Sequence, residues 1–225
     1  PSQTIPQRKP LSGRAGLMLR VAVALTLGLN AALLAMTTVQ SPQHVTYTDF
    51  EFYWRAMQLW RAGIDPYAMA PGVWPQSWPL RDRLFYPLPA LLLIWPLHAL
   101  AFRTAAGVFA GVAAAWLAWV RTREREWWRL LLFCTPMFLT TTIYGQWSPW
   151  LVLGALVPAA GCLLASKPTL GLACFLYRPT WRGAASGAAI GVLSLVLWPT
   201  WPGEWLANLG SVRNHPAPIV APFGW

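Results

Sequence analysis

Long uncharged stretches alternate along this chain with short clusters of charge, and the length of each stretch sets the first expectation. A bilayer crossing takes about 20 mostly apolar residues. Residues 17–39 meet that requirement and read as a first membrane helix. Further crossings are expected near 85–102, 104–120, 130–144, 147–157, 159–177 and 183–199. The stretch 85–102 carries Pro87, Pro89 and Pro96 and is expected to bend, and 147–157 is short for a full crossing. Broken helices at membrane depth are tolerated where protein or a cavity surrounds the freed backbone. The fold class that follows is all-α, a polytopic transmembrane helical protein.

Between the first and second of these stretches lies the longest polar region, 40–84, which holds Asp49, Glu51, Asp65 and Asp82, four of the seven acids in the chain. Phe50, Tyr53, Trp54, Met57 and Trp60 recur there at three- and four-residue steps, while Glu51, Arg55, Gln58 and Arg61 fall on other sides. That pattern predicts an amphipathic helix lying in the membrane interface with its aromatic face in the headgroup region. "GIDPY" (63–67) should end it, because Gly63 suits a C-cap and Pro66 cannot continue a helix. Gly183, Gly187 and Gly191 recur every four residues and predict a helix-packing surface.

Composition agrees with the pattern. The 225 residues are 56% hydrophobic and 11% charged, against about 25% charged in a soluble domain. Sixteen tryptophans suit membrane–water interfaces. The net charge of +10 sits in short clusters between apolar runs, which points to anionic lipid headgroups rather than to nucleic acid. Cys134, Cys162 and Cys174 lie inside apolar runs and read as small hydrophobes.

Residues 1–16, with Arg8, Lys9 and Arg14, form a basic tail expected in the cytoplasm. Residues 17–225 then form one transmembrane domain with 40–84 as its first external loop. The start without methionine and the stop at Trp225 lead us to expect a piece of a longer protein. Seven crossings would put 200–215 on the same side as 40–84. They would also put "RTREREWWR" (121–129) outside, against the positive-inside tendency, so one short segment is expected to be re-entrant.

Two residues invite chemistry. Asp49, about ten residues beyond a span, is either a solvated loop acid or a general base at the mouth of a cavity between helices. Lys167 interrupts an apolar run. It either meets a lipid phosphate or snorkels from a helix end. Arg55, Arg81 and Arg83 can hold phosphate or sugar hydroxyls, or pair with Glu51, Asp82 or headgroups. Gln146 can bond a sugar or cap a helix. His98 reads as a packing histidine, and neither His44 nor His215 has neighbours that favour a role. No ligand cluster for a metal emerges, and Asp49 with Glu51 alone is too thin a pair.

The order of several short motifs resembles the polyprenol-phosphate-dependent glycosyltransferases of family 87, also described as domain of unknown function 2029. The carrying residues are Asp49, Tyr53 and Ala56, then Gly63, Asp65, Pro66 and Tyr67, then Tyr86, Pro87, Leu88 and Pro89. "YGQWSPWLVL" (144–153) and "ASKPTLGL" (165–172) follow in the family's order, with Ser148 where the family has asparagine. The resemblance spans about residues 17–210. It implies a GT-C fold in the cell membrane, its site facing the periplasm or exterior, and inverting transfer of a sugar such as mannose. The donor would be a polyprenyl-phosphate sugar and the acceptor a lipid or glycan hydroxyl, with no cofactor. It implies Asp49 as general base, with Glu51, Arg55, Tyr86, Gln146 and Lys167 binding substrate. Two other readings stand beside it. A transporter or flippase-like protein would carry ionisable residues in several helices, of which Lys167 is one. A non-catalytic membrane subunit would use its surface helix to recruit a partner.

Overall fold

Prolines decide where this chain is helical and for how long. The computed structural model describes residues 13–38, 48–68, 84–123 and 127–210. In order these form α1 (Arg14–Thr38), α2 (Asp49–Arg61), α3 (Leu88–Ile94) with a 3-10 turn Trp95–Ala99, and α4 (Phe102–Arg123). A 3-10 segment Trp127–Cys134 then precedes α5 (Pro136–Ile143) and α6 (Ser148–Leu156). A second 3-10 segment, Pro158–Ser166, leads into α7 (Pro168–Tyr177), α8 (Trp181–Leu197) and α9 (Trp201–Gly210). No strand occurs among the described residues. Proline occupies the first turn of α3, α5, α6 and α7 and of the segments 95–99 and 158–166. Its missing N–H costs nothing there, yet it prevents the preceding residues from continuing into the same helix. Apolar runs that look like continuous spans are therefore cut into pieces of five to ten residues.

The seven expected crossings are not matched by as many long helices among the described residues. Among the described residues, α1 and α4 are long and apolar enough to cross a membrane, and α8 with α9, bent by 99°, makes a third if counted as one. The run 159–177 is two pieces that meet at Lys167, whose backbone (φ −136°, ψ 85°) is not helical.

α1 and α4 pack along small residues. A Cβ at Gly28 would fall 2.8 Å from Ala115 Cβ and 2.9 Å from the Gly111 carbonyl oxygen. One at Gly111 would fall 2.9 Å from Ala32 Cβ, and Gly107 faces Met36 and Ala32. Residues 28, 32 and 36 thus meet 115, 111 and 107, so the helices run antiparallel, at the close approach small-xxx-small patterns allow. The end of α1 and the start of α4 accordingly lie at one end of the molecule. The bent stretch 85–102 begins and ends near that end, since Tyr86 bonds Asp49 and Phe50 stacks on Phe102, and Arg121 and Arg123 come to the same end as Arg14.

α2 forms where the periodicity predicts it. Thr48 caps it, its Oγ1 accepting the Glu51 N–H at 3.3 Å, and Asp49 and Glu51 sit in the first turn, where the helix dipole favours acids. It ends in a Schellman motif. Gly63 takes φ 75°, its N–H donates to Trp60 O (3.0 Å) and the Ile64 N–H to Leu59 O (2.9 Å). The aromatic face, however, does not lie in headgroups. Phe50, Tyr53 and Met57 are wholly buried in protein. Phe50 packs on Phe102 and Phe109 (6.1 and 4.9 Å between centroids), and the Trp54 indole donates to Leu100 O at 3.3 Å. The start of α4 and the stretch before it supply a complementary wall, and burying rings of this size against protein is strongly favourable.

Gly183 and Gly187 pack against Gly161 as expected of a small-residue face, whereas Gly191 meets nothing within 4 Å. α8 leads back to the α2 end, where the Trp198 ring meets Trp60 and Tyr67. α9, inside the polar stretch 200–215, docks beside the end of the 40–84 segment. Trp205 Nε1 donates to Phe85 O at 2.9 Å, and Asn208 Nδ2 lies 3.3 Å from both Tyr67 O and Leu84 O. Residues 201–210 thus lie beside Tyr67, Leu84 and Phe85.

Candidate functional site

Asp49, Tyr86 and Lys167 come from three separate segments and meet at one carboxylate oxygen. Asp49 projects from the first turn of α2, Tyr86 precedes the Pro87 cap of α3, and Lys167 occupies the break before α7. The Tyr86 hydroxyl donates to Asp49 Oδ2 at 3.0 Å. Lys167 Nζ lies 3.8 Å from the same oxygen and 5.4 Å from the centre of the Tyr86 ring. Lys167 thus reaches inward to an acid rather than snorkelling along its helix.

Tyr86 is the hub of this arrangement. Its carbonyl accepts the Tyr67 hydroxyl at 2.9 Å, so "DPY" ties the end of α2 to the start of α3. Its ring stands at 89° to that of Tyr53, with 4.2 Å between centroids. The Tyr53 hydroxyl is buried beside that of Tyr86 and interacts with it.

Burial dominates the electrostatics. It raises the Asp49 carboxyl above its ordinary value, and the opposing pull of Lys167 and the Tyr86 hydrogen bond is too small to reverse this. Burial and then the Asp49 charge raise Tyr86 far above the usual phenol range, so Tyr86 keeps its proton and acts as a donor. A carboxylate whose charge is only partly compensated is a stronger base than one in water.

The peptide before α6 fixes the position of Asp49. Gly145 adopts φ +61°, and a Cβ there would fall 2.5 Å from Phe50 Cβ. The neighbouring Tyr144 carbonyl accepts the Phe50 N–H at 3.4 Å. Only glycine lets this strand of chain lie against the first turn of α2 in that conformation.

The remaining sequence-derived candidates make contacts of their own or lie outside the described residues. Glu51 and Arg55 turn to each other, with Arg55 Nε and a terminal guanidinium nitrogen each 2.8 Å from Glu51 Oε1. This is the i,i+4 pairing that the alternative reading allowed. Gln146 lines a narrow cavity with Thr141, Thr142 and Phe138, between α4, α5 and α6. His98 packs on Trp95 and shares a 2.6 Å contact from Nδ1 to Trp95 O. His44, Arg81, Asp82, Arg83 and His215 lie outside the described residues. Among the described residues, no group of three His, Cys, Asp or Glu side chains converges on a common point.

A half-open apolar recess of about 130 Å³ lies close by, lined by Leu93, Ile94, Phe109, Val112, Trp147 and Leu163 among others. Phe109 and Trp147 form part of its wall and also contact Tyr53, with centroids 6.4 and 5.7 Å away. Two aromatic layers therefore separate an apolar space from the carboxylate.

Three contributors escaped the sequence reading. Thr48 had a visible signal, since Thr48-Asp49-Phe50-Glu51 fits the capping box Ser/Thr-x-x-Glu. Gly145 and the Tyr67 hydroxyl had none, because their roles depend on contacts 19 or more residues away. No protein-family model, curated protein or solved structure matches the chain.

Proposed function

We propose that this chain forms the acceptor-activating part of a membrane glycosyltransferase that moves a sugar, mannose in the simplest case, from a polyprenyl-phosphate donor to a lipid or glycan hydroxyl. The observation that carries the reading is the convergence of Asp49, Tyr86 and Lys167 on one oxygen. A base, a donor that orients it and a cation suited to phosphate are the groups such a transfer needs.

Asp49 takes the proton of the acceptor hydroxyl as its oxygen attacks the anomeric carbon from the face opposite the phosphate. The bond from that carbon to the phosphate oxygen breaks, and polyprenyl phosphate leaves with the electron pair. Inversion follows from this single displacement. Lys167 faces the leaving phosphate, and Tyr86 holds Asp49 in place through its hydrogen bond. Glu51, Arg55 and Gln146 are the further residues that the family resemblance assigns to sugar or phosphate oxygens. The nearby apolar recess supports a lipid-borne substrate. The positive-inside tendency puts the end bearing Arg14, Arg121 and Arg123 in the cytoplasm, and the Asp49 end toward the periplasm or exterior.

One observation also suits a transporter, namely a helix broken at a charged residue, Lys167. The two readings part in a transfer assay. Full-length protein in proteoliposomes, supplied with polyprenyl-phosphate mannose and a membrane acceptor, should form the glycoside. Asp49→Asn should slow transfer about 100-fold or more with expression intact. Wild-type turnover by that variant would overturn the assignment.

A further inference from the structure

We infer that Lys167 is a shared cation that guards Asp49 in the empty site and moves to the donor's phosphate when that arrives, so that donor binding switches on the base. The inference rests on the glycosyltransferase reading and adds an order to it: donor first, proton abstraction second.

The geometry that carries it is the competition for one oxygen. Asp49 Oδ2 holds both the Tyr86 hydroxyl, at 3.0 Å, and the Lys167 ammonium, at 3.8 Å. An ammonium at 3.8 Å is held by charge and not by a short hydrogen bond, so it is the looser of the two partners. Lys167 sits on non-helical backbone between two helical pieces, and a lysine carries four rotatable bonds and three donors that can be re-aimed. Its place over the Tyr86 ring, at 5.4 Å, keeps the ammonium close to the site after it leaves the carboxylate. The α7 N-terminus begins at the next residue, and its free N–H groups favour an anion near it.

The donor's phosphodiester carries one negative charge on two free oxygens, and it gains a second as the glycosyl bond breaks and the monophosphate leaves, so the ammonium is drawn from Asp49 to the phosphate. Asp49 then keeps only the Tyr86 hydrogen bond. With its counter-charge removed and a phosphate nearby, its affinity for a proton rises. Tyr86 stays bonded throughout and prevents the freed carboxylate from swinging away. Tyr86 is therefore a positioning residue, while Asp49 and Lys167 touch substrate. Without donor, the carboxylate remains paired with Lys167 and is a weaker base.

The test titrates the Asp49 carboxyl by infrared difference spectroscopy, wild type minus Asp49→Asn, in full-length protein in nanodiscs. Saturating polyprenyl monophosphate without sugar is the probe. In wild type the midpoint should rise by about one pH unit or more when the probe binds, the reverse of the drop that an adjacent cation causes. Lys167→Met should start at the raised midpoint, move less on addition of probe, and bind it at least tenfold more weakly. Lys167→Arg should keep the low starting midpoint, which shows that the folded site survives substitution. Probe binding with no movement of the wild-type midpoint would overturn the exchange while leaving the donor reading intact. A Lys167→Met midpoint equal to wild type would do the same. Absence of any probe binding would overturn both.

Discussion

α1 and α4 meet along glycine and alanine with uninterrupted helices, whereas the region around Asp49 is assembled from pieces of seven to thirteen residues. The first region has few polar groups to satisfy and presents much apolar surface outward, including Leu25, Leu29 and Leu33 of α1. The second half-buries a carboxylate, buries two tyrosines and holds them through contacts between distant segments. Close backbone packing secures the long pair, and any added volume must push the helices apart. The site is secured by a few directional bonds, and small shifts there change chemistry before they change stability. The long pair thus acts as a frame, and the proline-broken pieces are what let side chains from α2, the start of α3 and the start of α7 reach one point.

This contrast can be broken at either side. The largest effect on stability should come from Gly28→Leu. With the Gly111 carbonyl and Ala115 within 3 Å of the first added carbon, the pair cannot close, and about 3 kcal/mol should be lost, read as a lowered Tm in detergent. Gly145→Ala should cost less, about 1–2 kcal/mol for the left-handed backbone. It should also slow transfer more than that loss explains, because the clash falls on Phe50 beside Asp49. Gly191→Ala, with open space around it, should raise stability by about 0.5–1 kcal/mol through helix propensity alone. A destabilising Gly191→Ala would mean that a surface of the protein closes over α8.

Much of the frame was legible in the sequence. The 17–39 and 104–120 stretches lie on α1 and α4 because long apolar runs without proline admit one reading. α2 and its stop at Gly63 were legible from period and cap. The crossing count was not, because proline's effect on a run depends on whether the neighbouring protein accepts a break. The aromatic face of α2 was misplaced for a related reason: periodicity shows that one side is apolar but not whether lipid or protein covers it. Asp49 and Lys167 stood out singly as charges in costly places. Their meeting across 118 positions, and the role of Tyr67 in holding Tyr86, depend on tertiary contacts that no local pattern encodes.

Stability and activity should respond to pH in opposite directions at Asp49. Its folded-state value lies above the ordinary 3.8, so the folded protein holds this proton more tightly than the unfolded chain. Stability from this group therefore increases as pH falls through the raised value toward 3.8 and is lost as pH rises back through it. Transfer needs the ionised form and should fall as pH falls through the same value. The pH dependence of single-turnover transfer, compared between wild type and Tyr86→Phe, tests the central claim most directly. The account predicts one acid limb above the ordinary carboxylate range, moved to higher pH in Tyr86→Phe because a bond favouring the ionised form is gone. A limb that stays in place in that variant, or no acid limb at all, would contradict Asp49 as the group that takes the proton.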